Sequence, residues 1–208
     1  MKIIDLETYP RRSHFEYFNS LAYPYVGMTA NVDVTGLLAA AKRRGKGSFL
    51  ACLYATCQAV NAVPALRQRI RDGKIVEFDR CNAGHTVAKE DGTFVNCQTD
   101  SSLDFDAFLT AGEALTQQAK EKTGFLNDKE DETGLIFVSC APWISFTNVL
   151  QPAPIPADSN PRIVFGKYFV QDGRTMMPLA IQCNHALVDG LHIGQFYAKF
   201  QEFSDTIY

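Results

Sequence analysis

At 208 residues, 46% apolar and 21% charged, the chain is long enough to bury one sizeable core. A formal charge of −3 offers no basic footprint for nucleic acid. The six cysteines form no CxxC pair and no histidine has a cysteine at ligand spacing, so neither disulfides nor a metal site is expected.

The opening MKIIDLETYPRR carries no secretory pattern, which points to a reducing, cytoplasmic setting. Apolar residues then alternate at Val26, Met28, Ala30, Val32 and Val34, the period of a half-buried strand. Thr35 is the expected cap of a helix that ends near Arg43 and Arg44. The basic cluster of Lys42, Arg43, Arg44 and Lys46 reads as a solvated helix end, although a phosphorylated cofactor could use one of these residues. Ser48 opens a long apolar helix that Pro64 should end or bend. Thr56, Gln58, Asn61 and Pro64 interrupt this run, so it reads as a buried helix and not as a membrane span.

GKIVEFD, residues 73–79, reads as a strand, and HTVAKEDGTFVNCQ as a hairpin turning at Asp91-Gly92. Ser102 is the expected cap of a helix from about Leu103 to Lys122, with Phe105, Phe108, Leu109 and Leu115 on its apolar positions. Three apolar strands follow, GLIFVSC, RIVFGKYFV and TMMPLAIQCNH, with QDGR turning between the last two. A final helix places Ile193, Phe196, Tyr197, Phe200 and Phe203 on one face. No repeat or linker interrupts the chain, so residues 1–208 read as one domain. The expected class is α/β (α+β), a two-layer sandwich in which helices pack on one side of a mixed sheet.

CNHALVDGLH, residues 183–192, ends a buried strand in His185 and starts a helix at Asp189-Gly190. Loops at strand ends are where scaffolds present working side chains. Asp189 can cap the helix or meet a cation, and Gly190 permits an unusual backbone angle. A satisfied core histidine followed by an ordinary aspartate cap accounts equally well for HALVDG, residues 185–190. His14, His85 and His192 carry no catalytic assignment.

Three separated stretches occur in one family's order: PRRSHFEYF near the start, FVSCAPWISFTN at 137–148, and FGKYFVQDGRTMMPLAIQCNHALVDGLH at 165–192. With them the chain resembles the chloramphenicol acetyltransferases from end to end, and residues 32–70 run in register with that family as a helical segment. The resemblance implies the fold of coenzyme-A-dependent acyltransferases and transfer of acetyl from acetyl-CoA to the hydroxyl of a small-molecule acceptor. It also implies a homotrimer with active sites between subunits; the charge balance and the interrupted apolar run separately leave no nucleic-acid or membrane partner expected.

His185 then matches the general base, which withdraws the hydroxyl proton as the oxygen attacks the thioester. Asp189 and Arg11 match an ion pair that shapes the histidine loop. Ser139 matches a donor to the oxyanion of the tetrahedral intermediate. Trp143, Lys167 and Tyr168 match positions that contact coenzyme A. Phe18, Phe94 and Val164 fall in the acceptor pocket. Lys46 lies beside a family lysine position that Gly47 occupies here.

Three residues depart from the family pattern. Asn184 stands where a second histidine is usual, Phe18 replaces a tyrosine that bonds the antibiotic, and Val164 replaces a threonine associated with a bound water. Three readings therefore stand together: acetylation of chloramphenicol, acyl transfer to another small alcohol or thiol, and a non-catalytic trimer that binds a small molecule.

Overall fold

The computed structural model describes residues 1–121 and 132–207. The first stretch runs β1 (Lys2–Ile4), α1 (Arg12–Asn19), β2 (Tyr25–Asp33), α2 (Thr35–Arg43), α3 (Ser48–Ala62), β3 (Gln68–Arg71), β4 (Lys74–Glu77), β5 (Asn82–Ala88), β6 (Phe94–Thr99) and α4 (Phe105–Glu121). The second runs β7 (Leu135–Ala141), β8 (Arg162–Gly166), β9 (Phe169–Gln171), β10 (Arg174–Asn184) and α5 (Gly190–Thr206).

The larger sheet has the order β2-β10-β8-β7-β5-β6, with β9 on the end of β10; a smaller antiparallel sheet has the order β1-β4-β3. The pairs β5–β7 and β7–β8 are parallel and the other neighbours antiparallel, so the large sheet is mixed, as expected. Alternation along its strands separates two faces. Val138, Ile163, Phe165, Leu179, Ile181 and Cys183 point into the core shared with the helices. Ser139, Arg162, Val164, Ala180 and Gln182 occupy the opposite face, where the clefts lie.

The helix α3 explains why its sequence is apolar on every side. It touches α2, α4 and α5 and buries nine residues, among them Leu50, Leu53 and Val60. Leu53 is fully enclosed, and removing such a side chain to alanine costs about 2–5 kcal/mol.

Several local expectations change in the fold. Thr35 is the first residue of α2 and not its cap; its hydroxyl accepts the Thr175 amide, while the Asp33 carboxylate accepts the Thr35 amide at 2.9 Å. Ser102 does not cap α4: Asp104 accepts the Ala107 amide at 2.9 Å, and the Ser102 amide is itself bonded to Asp100. Lys122, the expected end of that helix, lies outside the described residues.

Gln68–Ile70 are strand and not helix, because Pro64 starts a short 3₁₀ turn and the chain then pairs with β4. The turn of that hairpin is Asp72-Gly73, with φ of 50° and 72°, a conformation for which Asp-Gly is a recognised sequence signal. RIVFGKYFV divides into β8 and β9 at Lys167 and Tyr168. Gly190 opens α5 outside the left-handed region, so the unusual backbone angle expected there is not used.

Candidate active site

The histidine is delivered by β10, held on both sides by β2 and β8. The strand ends at Asn184, and the His185 amide donates to the Pro24 carbonyl at 2.7 Å. The ring nitrogen Nδ1 lies 2.8 Å from the Val188 carbonyl. A carbonyl can only accept, so Nδ1 carries the proton and Nε2 keeps its lone pair. The turn has thereby selected the tautomer that a general base requires.

Asp189 performs both roles open to it. It caps α5 by accepting the Leu191 amide at 3.0 Å, and it forms an ion pair with Arg11, 178 residues earlier. Burial pulls the Asp189 carboxyl up, but Arg11, His192 and the amides of Leu191 and His192 together hold it below the ordinary carboxylate range. His192 completes the cap, with Nδ1 accepting the Asp189 amide at 3.1 Å. Burial pushes the His192 pKa down, which suits that accepting role. Arg11 also donates to the His185 carbonyl at 3.3 Å, so the pair reaches the histidine's own backbone.

Phe18, on α1, stacks on the imidazole with ring centroids 3.9 Å apart. Asn184 satisfies the turn: its Oδ1 accepts the Ala186 amide at 3.0 Å, and its Nδ2 donates to the Asp158 carbonyl at 2.9 Å.

Ser139 sits on β7 opposite Val164 of β8, and its hydroxyl is 3.3 Å from that of Thr86 on β5. Two clefts meet at this point. One, of about 520 Å³, is lined by Phe94, Phe137, Val149, Arg162 and Val164 among others. The second, of about 390 Å³, runs past Phe49, Cys140, Pro142 and Trp143. Thr86, Phe94 and Ser139 belong to both. Trp143 is 78% exposed at the second cleft, an indole left in the open. Burial pushes the Cys140 thiol up to about 11, so it stays protonated and does not compete as a nucleophile.

Lys167 is exposed at the β8–β9 corner, where its amide is tied to the Ile144 carbonyl at 2.9 Å beside Trp143. Tyr168 turns toward the helices instead, its hydroxyl 3.3 Å from that of Ser48 and 3.7 Å from the Cys52 sulfur; burial raises its pKa. Lys46 is paired with Glu113 at 2.6 Å.

The fold does not bring Ser139 and His185 together within one chain. Ser139 pairs with Val164 and Val164 with Ala180, which leaves five residue steps along the chain to His185. That is about 17 Å along the strands and two strand spacings, about 10 Å, across them. Neither side chain can span such a gap.

Sequence reasoning missed Thr86, the Val188 carbonyl, the capping role of His192, and the ion pair of Asp158 with Arg162 at 2.6 Å. Only the last left a sequence trace, an acid and a base four residues apart, with Asp158 ahead of the strand that Arg162 begins.

A family model described as chloramphenicol acetyltransferase matches residues 1–201. Among relatives, the chloramphenicol acetyltransferase of Proteus mirabilis is 33% identical over 206 residues, covering 98% of this chain and 94% of its own. That of Escherichia coli is 31% identical over 212 residues, covering 97% and 93%. A solved chloramphenicol acetyltransferase superposes with a TM-score of 0.91 at 30% identity, covering 97% of this chain and 98% of that one. The dihydrolipoamide acetyltransferase of Azotobacter vinelandii, at 16% identity and a TM-score of 0.69, shares the fold.

Proposed function

The chain belongs to the chloramphenicol acetyltransferase family, and from that premise we propose that it moves an acetyl group from acetyl-CoA to a hydroxyl of chloramphenicol, with His185 as general base. The observation that carries this reading is the bond from His185 Nδ1 to the Val188 carbonyl, which leaves Nε2 able to accept a proton. As Nε2 takes the hydroxyl proton, the acceptor oxygen bonds to the acyl carbon and the carbon–sulfur bond breaks. The proton returns from Nε2 to the departing sulfur, giving the free thiol. No acyl-enzyme is needed, because both substrates meet in one ternary complex.

Ser139 donates to the oxygen on which negative charge develops, with Thr86 orienting its hydroxyl. Acetyl-CoA supplies the activated acyl group. The apolar cleft at Phe49, Pro142 and Trp143 suits its arm, Lys167 stands at the edge for a phosphate, and Tyr168 holds the corner that carries Lys167. Phe94 and Val164 wall the acceptor cleft, and Phe18 supports the base. Arg11 and Asp189 position the histidine turn.

The separation of Ser139 from His185 supports a site shared between copies. One chain contributes Ser139 and the two clefts, and the next contributes His185 and Phe18. A cyclic trimer closes such a head-to-tail arrangement and yields three equivalent sites. Residues 1–208 form one domain, and the protein works in the cytoplasm.

The test is release of free thiol from acetyl-CoA on addition of chloramphenicol. Turnover that His185→Ala abolishes supports the reading; no thiol release by the parent overturns it. Phe18 and Val164 favour a second reading, acyl transfer to a different small alcohol or thiol. Phe18 lacks the hydroxyl that family members offer to the antibiotic, and Val164 lacks the one associated with a bound water.

A further inference from the structure

Arg162 is set into the largely apolar wall of the cleft beside Ser139, with 7% of its surface exposed. Its guanidinium is gripped end-on by Asp158, Nη1 donating to Oδ1 at 2.7 Å and Nη2 to Oδ2 at 2.6 Å. Nη1 donates again to the Asn160 carbonyl at 3.2 Å. The rings of Tyr25 and Phe137 lie 5.8 and 5.5 Å from the guanidinium carbon, which locks the plane in place.

A guanidinium has five N–H donors. These three bonds leave the Nε–H and the second Nη2–H without a partner among the described residues. Both lie along one edge of the group, pointing in parallel, which is the side-on fork that matches two oxygens on one atom. Arg162 lines the cleft and Asp158 does not, while Glu132 places a second carboxylate in the same wall.

We propose that Arg162 determines acceptor specificity: its unspent fork receives a planar two-oxygen group, carboxylate or nitro, carried by the alcohol that is acetylated. This rests on the reading of that cleft as the acceptor site. Arg162 is two residues along β8 from Val164, the residue opposite Ser139, or about 7 Å. The two-oxygen group therefore sits at the end of the acceptor remote from the reacting hydroxyl. Glu132 lines the same cleft and repels a carboxylate but not a nitro group, so the two are compared directly.

The experiment is calorimetric titration of the intact protein with three ligands: chloramphenicol, whose ring bears a nitro group, its analogue with hydrogen in that place, and its analogue with carboxylate there. Each is repeated with Arg162→Lys, which keeps the charge facing Asp158 but has no fork. The parent should bind the better of the two oxygen-bearing ligands at least about tenfold more tightly than the hydrogen analogue. In Arg162→Lys the three should fall within about threefold of one another, with the hydrogen analogue unchanged.

Equal affinities in the parent, an unchanged ratio in Arg162→Lys, or no measurable binding of any ligand overturns the proposal. If Arg162→Lys fails to fold, Asp158→Asn/Arg162→Gln, which removes both charges together, takes its place with the same expectation. Thiol release is followed in parallel. A preserved binding ratio without turnover sinks acetyl transfer and spares the fork; turnover with a flat ratio sinks the fork alone.

Discussion

Phe18 lies flat against His185, ring centroids 3.9 Å apart and planes 18° from parallel, so the residue expected to face the acceptor is also the shelf on which the base rests. The imidazole is held at Nδ1 by a carbonyl and on one face by a phenyl ring, which leaves Nε2 as its working edge. His185→Ala should lower turnover about 10²–10⁴-fold in the thiol-release assay, the range general base catalysis supplies. The melting temperature should be close to that of the parent. A variant that keeps more than about a tenth of the activity would remove His185 from the mechanism.

Arg11 and Asp189 should act as one unit. Their side chains are 16% and 31% exposed, so the effect falls short of a fully buried pair. Arg11→Ala and Asp189→Ala should each cost about 1–3 kcal/mol in chemical denaturation, and the double variant clearly less than the sum of the two. Activity should fall along with stability, because the pair also holds the His185 carbonyl. Additive costs in the cycle would show that the two do not depend on each other.

Ser139 and His185 should work from different chains. Ser139→Ala and His185→Ala, each expressed alone, should be nearly inactive, the first by about 10²–10³-fold. Co-expressed, they should recover about a quarter of the parent activity, since random assembly places an intact serine against an intact histidine in that share of sites. Light scattering on the same material should give a trimer mass. Fully active monomer, or no recovery on mixing, would sink the shared site.

His85 should make stability depend on acid. It is buried on β5 against Phe49, both ring nitrogens lack a partner among the described residues, and burial pushes its pKa down to about 4. In the unfolded chain the same ring titrates near 6.5. Between these values the unfolded state binds the extra proton, so stability is full above about pH 6.5 and falls as pH drops toward 4. The slope is about 1.4 kcal/mol per pH unit, up to about 3 kcal/mol in all. His85→Leu should lose this part of the slope in urea melts between pH 7 and 4.5. Identical pH profiles for parent and variant would contradict the assignment.

Restoring the two missing hydroxyls should improve chloramphenicol turnover by separate routes. Phe18→Tyr should mainly lower KM for the acceptor, and Val164→Thr, beside Ser139 in the cleft, should mainly raise kcat. A hydrogen bond worth roughly 0.5–1.5 kcal/mol corresponds to about two- to twelvefold for each. If kcat/KM rises in neither single variant nor the double, a different natural acceptor becomes the better account.

Local chemistry carried most of the elements. Apolar alternation located β2, the all-round apolar run located α3, and Asp91-Gly92 and Asp172-Gly173 marked turns that the fold uses, the latter with φ of 51° and 74°. These signals act between residues a few places apart, which is why one sequence suffices to read them. The strand-end position of His185 was legible for the same reason, as was Asp189 as a helix cap. Thr35 and Ser102 were plausible caps on identical grounds, but each was displaced by an aspartate that the turn brought closer. The partners that give these residues a task lie far off in sequence. Resemblance to a family paired Arg11 with Asp189, and nothing in the chain alone would have done so. Neither composition nor period could select the Val188 carbonyl for His185, stack Phe18 on that ring, turn Arg162 into a cleft, or set Ser139 two strands from the base. Those relationships follow from strand order and register, which emerge only when the whole core closes and every buried donor must find its partner.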